Sequence, residues 1–216
     1  MSPRATYGAV AAQPRWLGAF LLVVLVCGLA ATAFMATDVG QRAVLDQQLA
    51  QAEASGRHLS DAQVQMFERF VPYYKYLAFV FNLVFFGVGG LVVAGLAMGV
   101  FNALLGADAS FKQVYAVVAH SVVILMVGAL FALPLDYLRE TLTSPTSLTV
   151  FLPMLDDNTF GAKLLGSLDL VRIWWAVNLA IGFGVLYRRR TAPIAATLLG
   201  VYAALALAYA AVVTAL

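Results

Sequence analysis

Apolar residues gather in five long runs along this chain, and polar stretches of unequal length separate them. The runs cover about residues 16–37, 76–105, 113–135, 168–187 and 193–215. A helix needs about 20 mostly apolar residues to cross a bilayer, so each run predicts a membrane span. The fourth is the most informative. It opens with Asp169 and Arg172, passes through Trp174 and Trp175, is broken by Asn178, and stops at Arg188, Arg189 and Arg190. The first run exceeds the about 7–15 residues of a signal-peptide core, so it is expected to be a retained span.

The polar stretches carry helix signals of their own. Residues 38–72 predict a helical hairpin. Val44, Leu45, Leu49 and Ala52 share one helical face, Gly56 is a natural stop, and Ser60 with Gln63 forms a capping box before a second helix bearing Val64, Phe67 and Val71. The hairpin either packs on the membrane domain or offers a docking surface for another protein. Ser110 and Gln113 form a second capping box ahead of the third span. Residues 136–167 form a second loop with the acidic pair Asp156 and Asp157, and within it Phe160, Leu164 and Leu165 predict a short interfacial helix. Ser167 is expected to cap the fourth span, and Pro193 suits the first turn of the fifth. The pairs Gly90 with Ala94 and Gly95 with Gly99 let helix backbones approach closely, more readily within one chain than between two.

Composition agrees with the pattern. Hydrophobic residues make up 62% of the 216 and charged residues 11%, against about 25% charged in a soluble domain. The expected fold class is therefore all-α: a polytopic membrane protein, a five-helix transmembrane bundle with an extra-cytoplasmic helical hairpin. Residues 1–15 form a polar N-terminal tail and 16–216 a single membrane domain. The net charge of +2 is too small to argue for a nucleic-acid partner, and none is expected. Cys27, the single cysteine, permits no internal disulfide and reads as a buried thiol. Cations concentrate in the tail (Arg4, Arg15), at Lys112, and at Arg188–Arg190, while the two longer loops carry most of the acids. By the positive-inside rule the N-terminus is cytoplasmic and the C-terminus lies outside.

The residues Phe111–Val114 (F-K-Q-V), Asp169–Trp174 (D-L-V-R-I-W) and Ala180–Gly182 (A-I-G) carry a resemblance to the Yip1 domain family. The resemblance implies five spans, a cytoplasmic N-terminus and a membrane-organising role. Eukaryotic members associate with Rab GTPases and carry a D-L-Y-G-P signature that this chain lacks, so no Rab partner is expected. The chain looks like bacterial-type members, some of which are encoded beside ABC exporters. That implies an accessory role in a bacterial inner membrane.

Polar groups at membrane depth are costly unless partnered. Asn82 and Asn178 are placed to hydrogen-bond to each other across the second and fourth spans. His120, at the expected level of Thr197 and Tyr202, serves either structural hydrogen bonding or proton or substrate handling. Asp136, Arg139, Asp169 and Arg172 are expected to form one ion-pair cluster at the outer interface, the alternative being independent solvated side chains. Trp174 and Trp175 read as interfacial anchors. Arg188, Arg189 and Arg190 read as the orientation signal first and anionic-lipid contacts second. The sequence contains no phosphate loop, metal-ligand spacing or nucleophile motif, so catalytic residues, cofactors and metals are not expected. The leading function is a non-catalytic scaffold or accessory subunit with membrane lipids and a protein partner or second copy around it. The alternative is a small transporter or lipid-handling protein using Asn82, His120 and Asn178.

The charge distribution makes a direct prediction. A single cysteine introduced at Arg189 will react with a membrane-impermeant maleimide only after the cytoplasmic face is opened. Labelling in intact cells would contradict the orientation.

Overall fold

The computed structural model of the chain describes residues 2–54, 56, 59–152, 154–155 and 159–215. The acidic pair Asp156 and Asp157 lies outside the described residues. Among the described residues there are ten α-helices and no strand, only one isolated antiparallel bridge between Ser147 and Asp169. They are α1 Pro3–Ala12, α2 Trp16–Met35, α3 Asp38–Ala54, α4 Asp61–Phe70, α5 Tyr74–Met98, α6 Phe111–Ser121, α7 Val123–Arg139, α8 Phe160–Ser167, α9 Leu170–Leu186 and α10 Thr191–Ala215.

Four helical stretches are long and apolar enough to cross a membrane: Trp16–Met35, Asp61–Leu104, Phe111–Arg139 and Thr191–Thr214. The second joins α4 to α5 through a short 3₁₀ turn at Val71–Tyr73 and ends in a π-helical turn at Gly99–Leu104. Pro72 lacks an amide hydrogen, and the 3₁₀ turn accommodates it without breaking the helix. The stretch expected as the fourth span is shorter. With 17 residues, α9 is about 25 Å long, less than the about 30 Å of a bilayer hydrocarbon core.

Local signals account for several helix ends. Both capping boxes form, Ser60 with Gln63 and Ser110 with Gln113. Gly56 takes φ +67°, the left-handed conformation that a glycine adopts without steric cost. Three boundaries differ from expectation. Asp169 caps α9, not Ser167, whose hydroxyl bonds the carbonyl of Leu164. The third span is divided at Val122, where the buried Ser121 hydroxyl bonds Val118 O at 2.7 Å, a back-bond that bends helices. Pro134 lies inside α7, which continues to Arg139.

The largest departure is at the N-terminus. Residues read as a polar tail form α1, because the Ser2 side chain accepts from Ala5 N–H and Pro3 starts the first turn. Tyr7, only 3% exposed, and Val10 are buried in the main core with Val114–Val118 of α6 and Leu179, Ala180 and Phe183 of α9. Gly182 makes this packing possible. A Cβ built there would stand 2.5 Å from Val117 Cγ1 and 2.9 Å from Tyr7 Cε1, so only glycine admits both neighbours. A second core joins Val23 and the buried thiol Cys27 of α2 to Val122.

The two small-residue pairs on α5 serve different faces. Gly90 and Ala94 are buried, with a Gly90 Cβ position 3.2 Å from the Tyr115 ring, whereas Gly95 and Gly99 are exposed with nothing within 4 Å. The Tyr115 ring in turn stacks against Trp16 edge-on at 5.1 Å between centroids. Two hydrogen bonds hold α1 at one end of the bundle: Arg4 Nη2 to Thr191 Oγ1, 3.2 Å, and Gln113 Nε2 to Ala11 O, 3.1 Å. The tail, the turn before α6 and the α9–α10 turn thus meet at one end, the grouping that alternating helices demand.

Candidate functional site

The polar side chains of α9 organise the interior. Asp169, 6% exposed, stands at its N-terminus with φ −120° and ψ 130°. Its Oδ1 accepts from the N–H groups of Val171 (2.8 Å) and Arg172 (3.2 Å), an N-cap. Its Oδ2 accepts from Ser144 Oγ (2.6 Å) and Thr146 Oγ1 (2.8 Å). The Asp169 N–H donates to Tyr202 Oη of α10, and that hydroxyl donates to Ser167 O at 2.7 Å. Leu148 N–H to Leu168 O and Leu170 N–H to Thr146 O complete the bridge that pins residues 144–149 to the start of α9.

This arrangement sets the start of α9 within the molecule. Helix α10 continues to Ala215, about 20 Å past Tyr202 at about 1.5 Å per residue. The Asp169 hub is therefore flanked by α10 rather than standing at the end of the bundle. Irregular backbone in such a place must be buried in protein with its polar groups satisfied. Ser147, 1% exposed, meets that demand through Thr149 Oγ1 at 2.7 Å.

Further along α9, Trp175 Nε1 donates to the Ser121 hydroxyl at 3.0 Å, and Asn178 Nδ2 donates to Tyr7 Oη at 2.7 Å. Burial pushes the Tyr7 hydroxyl far above the usual tyrosine range, so it stays neutral. Through these two bonds α9 holds α6 and α1.

Several expected groupings do not form. Asn82 does not meet Asn178; its Nδ2 bonds Ala78 O one turn back in α5 at 2.9 Å. His120 Nδ1 lies 2.8 Å from Ala116 O, also one turn back, and the Tyr202 hydroxyl bonds Asp169 N–H and Ser167 O. No ion pair joins any two of Asp136, Arg139, Asp169 and Arg172 among the described residues. Asp169 is saturated by hydroxyls and amides, Asp136 is buried with Oδ1 unpartnered, and Arg139 and Arg172 are exposed. Arg172 gains little by reaching Asp169, whose carboxylate Ser144, Thr146 and two amides already satisfy. Trp174 is exposed as an anchor should be, but Trp175 turns inward to Ser121. Two consecutive residues of a helix do not share one face, and the sequence alone did not say which tryptophan would face in.

At the other end of α9 the chain turns sharply. Arg188 takes φ +52° and Arg189 N–H bonds Gly184 O at 2.9 Å. All three arginines are exposed, and with Arg4, Thr191 and Ala192 they line an open cavity of about 700 Å³. A neighbouring hollow of about 500 Å³ shares Arg188 and Arg189 and adds Asp108, Gln113 and Tyr187. Tyr7 and Arg4 are the functional candidates that sequence reading missed. Ser2 followed by Pro3 was the available signal, an N-cap with proline in the first turn. Among the described residues no group of three or more His, Cys, Asp or Glu side chains could hold a metal ion.

With this geometry in view, comparison with known proteins gives one result. A model of the Yip1 domain matches residues 1–214, essentially the whole chain. No curated protein and no solved structure matches it.

The hub makes a quantitative prediction. Asp169→Ala removes four accepting contacts and leaves two half-buried hydroxyls without their acceptor, an expected loss of about 2–4 kcal/mol. Asp169→Asn keeps the shape and one carbonyl acceptor and should lose less. Thermal unfolding in one detergent will rank wild type above Asn above Ala. Equal midpoints for wild type and Ala would contradict the hub.

Proposed function

From the premise that the chain belongs to the Yip1 domain family, we propose that it is a non-catalytic membrane scaffold or accessory subunit of a membrane complex, an ABC exporter being the partner class that the family suggests. In this reading α9 is a fifth crossing helix beside the four long ones. The arginine-rich end is cytoplasmic, in a bacterial inner membrane, and the α3–α4 hairpin projects on the outer side.

The observation that carries the proposal is the hairpin. No residue of α4 is buried, yet the helix is amphipathic, and Met66, Phe70 and the following Tyr73 are exposed. An apolar face left open at the membrane surface, on a hairpin that packs through the buried Ala43, Val44 and Ala52 of α3 and through Gln48 Nε2 to Tyr74 Oη at 3.0 Å, suits a partner helix. Lipid suffices to cover the exposed side chains of α5, such as Leu77, Phe81, Phe85 and Val88. The α4 stripe differs in lying on a helix that also carries Asp61, Glu68 and Arg69, the two-faced pattern of a helix that docks against a surface.

Transport is the weaker reading. A polar path would need Asn82, His120 and Asn178 to face one another. Each instead has its own partner, two of them backbone carbonyls of the same helix.

The test is co-purification of the tagged full-length protein from its native membrane in mild detergent, comparing wild type with Met66→Glu/Phe70→Glu. The proposal expects a membrane partner with wild type, lost from a variant that remains folded and monodisperse. A wild-type protein that purifies alone, or a partner retained equally by both, would overturn it.

A further inference from the structure

We propose that the arginine-lined cavity between α1 and the α9–α10 turn binds a phosphate group, with the headgroup of an anionic phospholipid as its source. Four guanidinium-bearing residues, Arg4, Arg188, Arg189 and Arg190, line one concavity with Thr191 and Ala192. Among the described residues no acidic side chain lines it; Asp108 belongs to the adjoining hollow. Among the described residues the recorded side-chain bond in this cluster is Arg4 Nη2 to Thr191 Oγ1, so none of the four is paired with a carboxylate. Like charges gathered without a counterion repel one another, and an anion relieves that repulsion.

Orientation in the membrane does not explain the cluster. The positive-inside rule needs only cations in the short loops, wherever they point. It does not need Arg4 brought against a turn whose Thr191, its hydrogen-bond partner, lies 187 positions away in the chain. Arg4 is there because α1 is locked into the core by Tyr7 and Val10, and because Tyr7 Oη is held by Asn178. The convergence is thus built by the fold.

The chemistry of the lining selects phosphate. Arginine presents a planar fork that matches two phosphate oxygens at once. The cavity opens at the N-terminus of α10, a helix of 25 residues, where the helix dipole and free N–H groups favour an anion. The position selects a lipid. The flank of α10 beyond the cavity exposes Val201, Leu205 and Val212, a surface along which acyl chains lie while the headgroup sits among the arginines.

The experiment is a lipid titration of the full-length protein in detergent, read by native mass spectrometry, with phosphatidylglycerol against phosphatidylcholine. The test variant is Arg4→Lys/Arg189→Lys, which keeps every charge and therefore the membrane orientation, but removes two forks. Arg42→Lys/Arg69→Lys in the α3–α4 hairpin is the control. Wild type and control should hold one phosphatidylglycerol tightly and phosphatidylcholine weakly, and the test variant should hold phosphatidylglycerol about tenfold less tightly. If the double variant does not elute as a folded monodisperse species, single Arg4→Lys is read in its place. A parallel arm adds inorganic phosphate without lipid. Thermal protection of wild type but not of the variant, with displacement of phosphatidylglycerol, would keep the phosphate site and assign it a soluble source. Equal binding of the two lipids, or equal binding of phosphatidylglycerol by wild type and variant with no phosphate protection, would overturn the proposal.

Discussion

The polar side chains of one short helix hold this molecule together. Asp169, Trp175 and Asn178 lie along α9 and reach, in turn, the 144–146 turn, α6 and α1, while the backbone N–H of Asp169 reaches Tyr202 of α10. Where lipid is the solvent, burial of apolar surface does little to drive one helix against another. Close packing and hydrogen bonds must then specify the arrangement. The α9 helix supplies both, with Gly182 admitting Tyr7 and Val117, and with each polar side chain given a partner from a different element.

That principle connects fold to surface. Holding α1 in the core places Arg4 at the α9–α10 turn, where the three arginines already project. Holding residues 144–149 against the start of α9 lets an irregular segment lie beside α10 with its backbone groups satisfied. The interior is thereby committed to structure. What remains available for recognition lies outside it, in the arginine-lined end and in the exposed apolar face of α4.

Much of this was legible in the sequence. The long apolar stretches, both capping boxes, the stop at Gly56 and the short helix over Phe160–Ser167 all follow from patterns within ten residues of one another. The partners of the polar residues were not legible in the same way. A spacing rule suggests Asp169 with Arg172, yet the carboxylate takes hydroxyls from Ser144 and Thr146, brought by a loop whose path no local pattern encodes. Matching depth suggests Asn82 with Asn178, yet an asparagine can satisfy itself on the carbonyl one turn back, as Asn82 does. The tail was misread because ten residues of low hydropathy look disordered unless the Ser2–Pro3 start is noticed and Tyr7 is given somewhere to go. From composition α9 reads as a full span, because the apolar run continues past the helix ends and nothing local shows that the helix itself stops at 17 residues.

The claim that α9 assembles its neighbours through its polar side chains is tested most directly by a double-mutant cycle on Tyr7 and Asn178, two residues 171 positions apart. Thermal or denaturant unfolding of Tyr7→Phe, Asn178→Ala and the double variant should show a favourable coupling of about 0.6–1.7 kcal/mol, the range for hydrogen bonds between membrane helices. Strictly additive losses, with no coupling, would contradict the account.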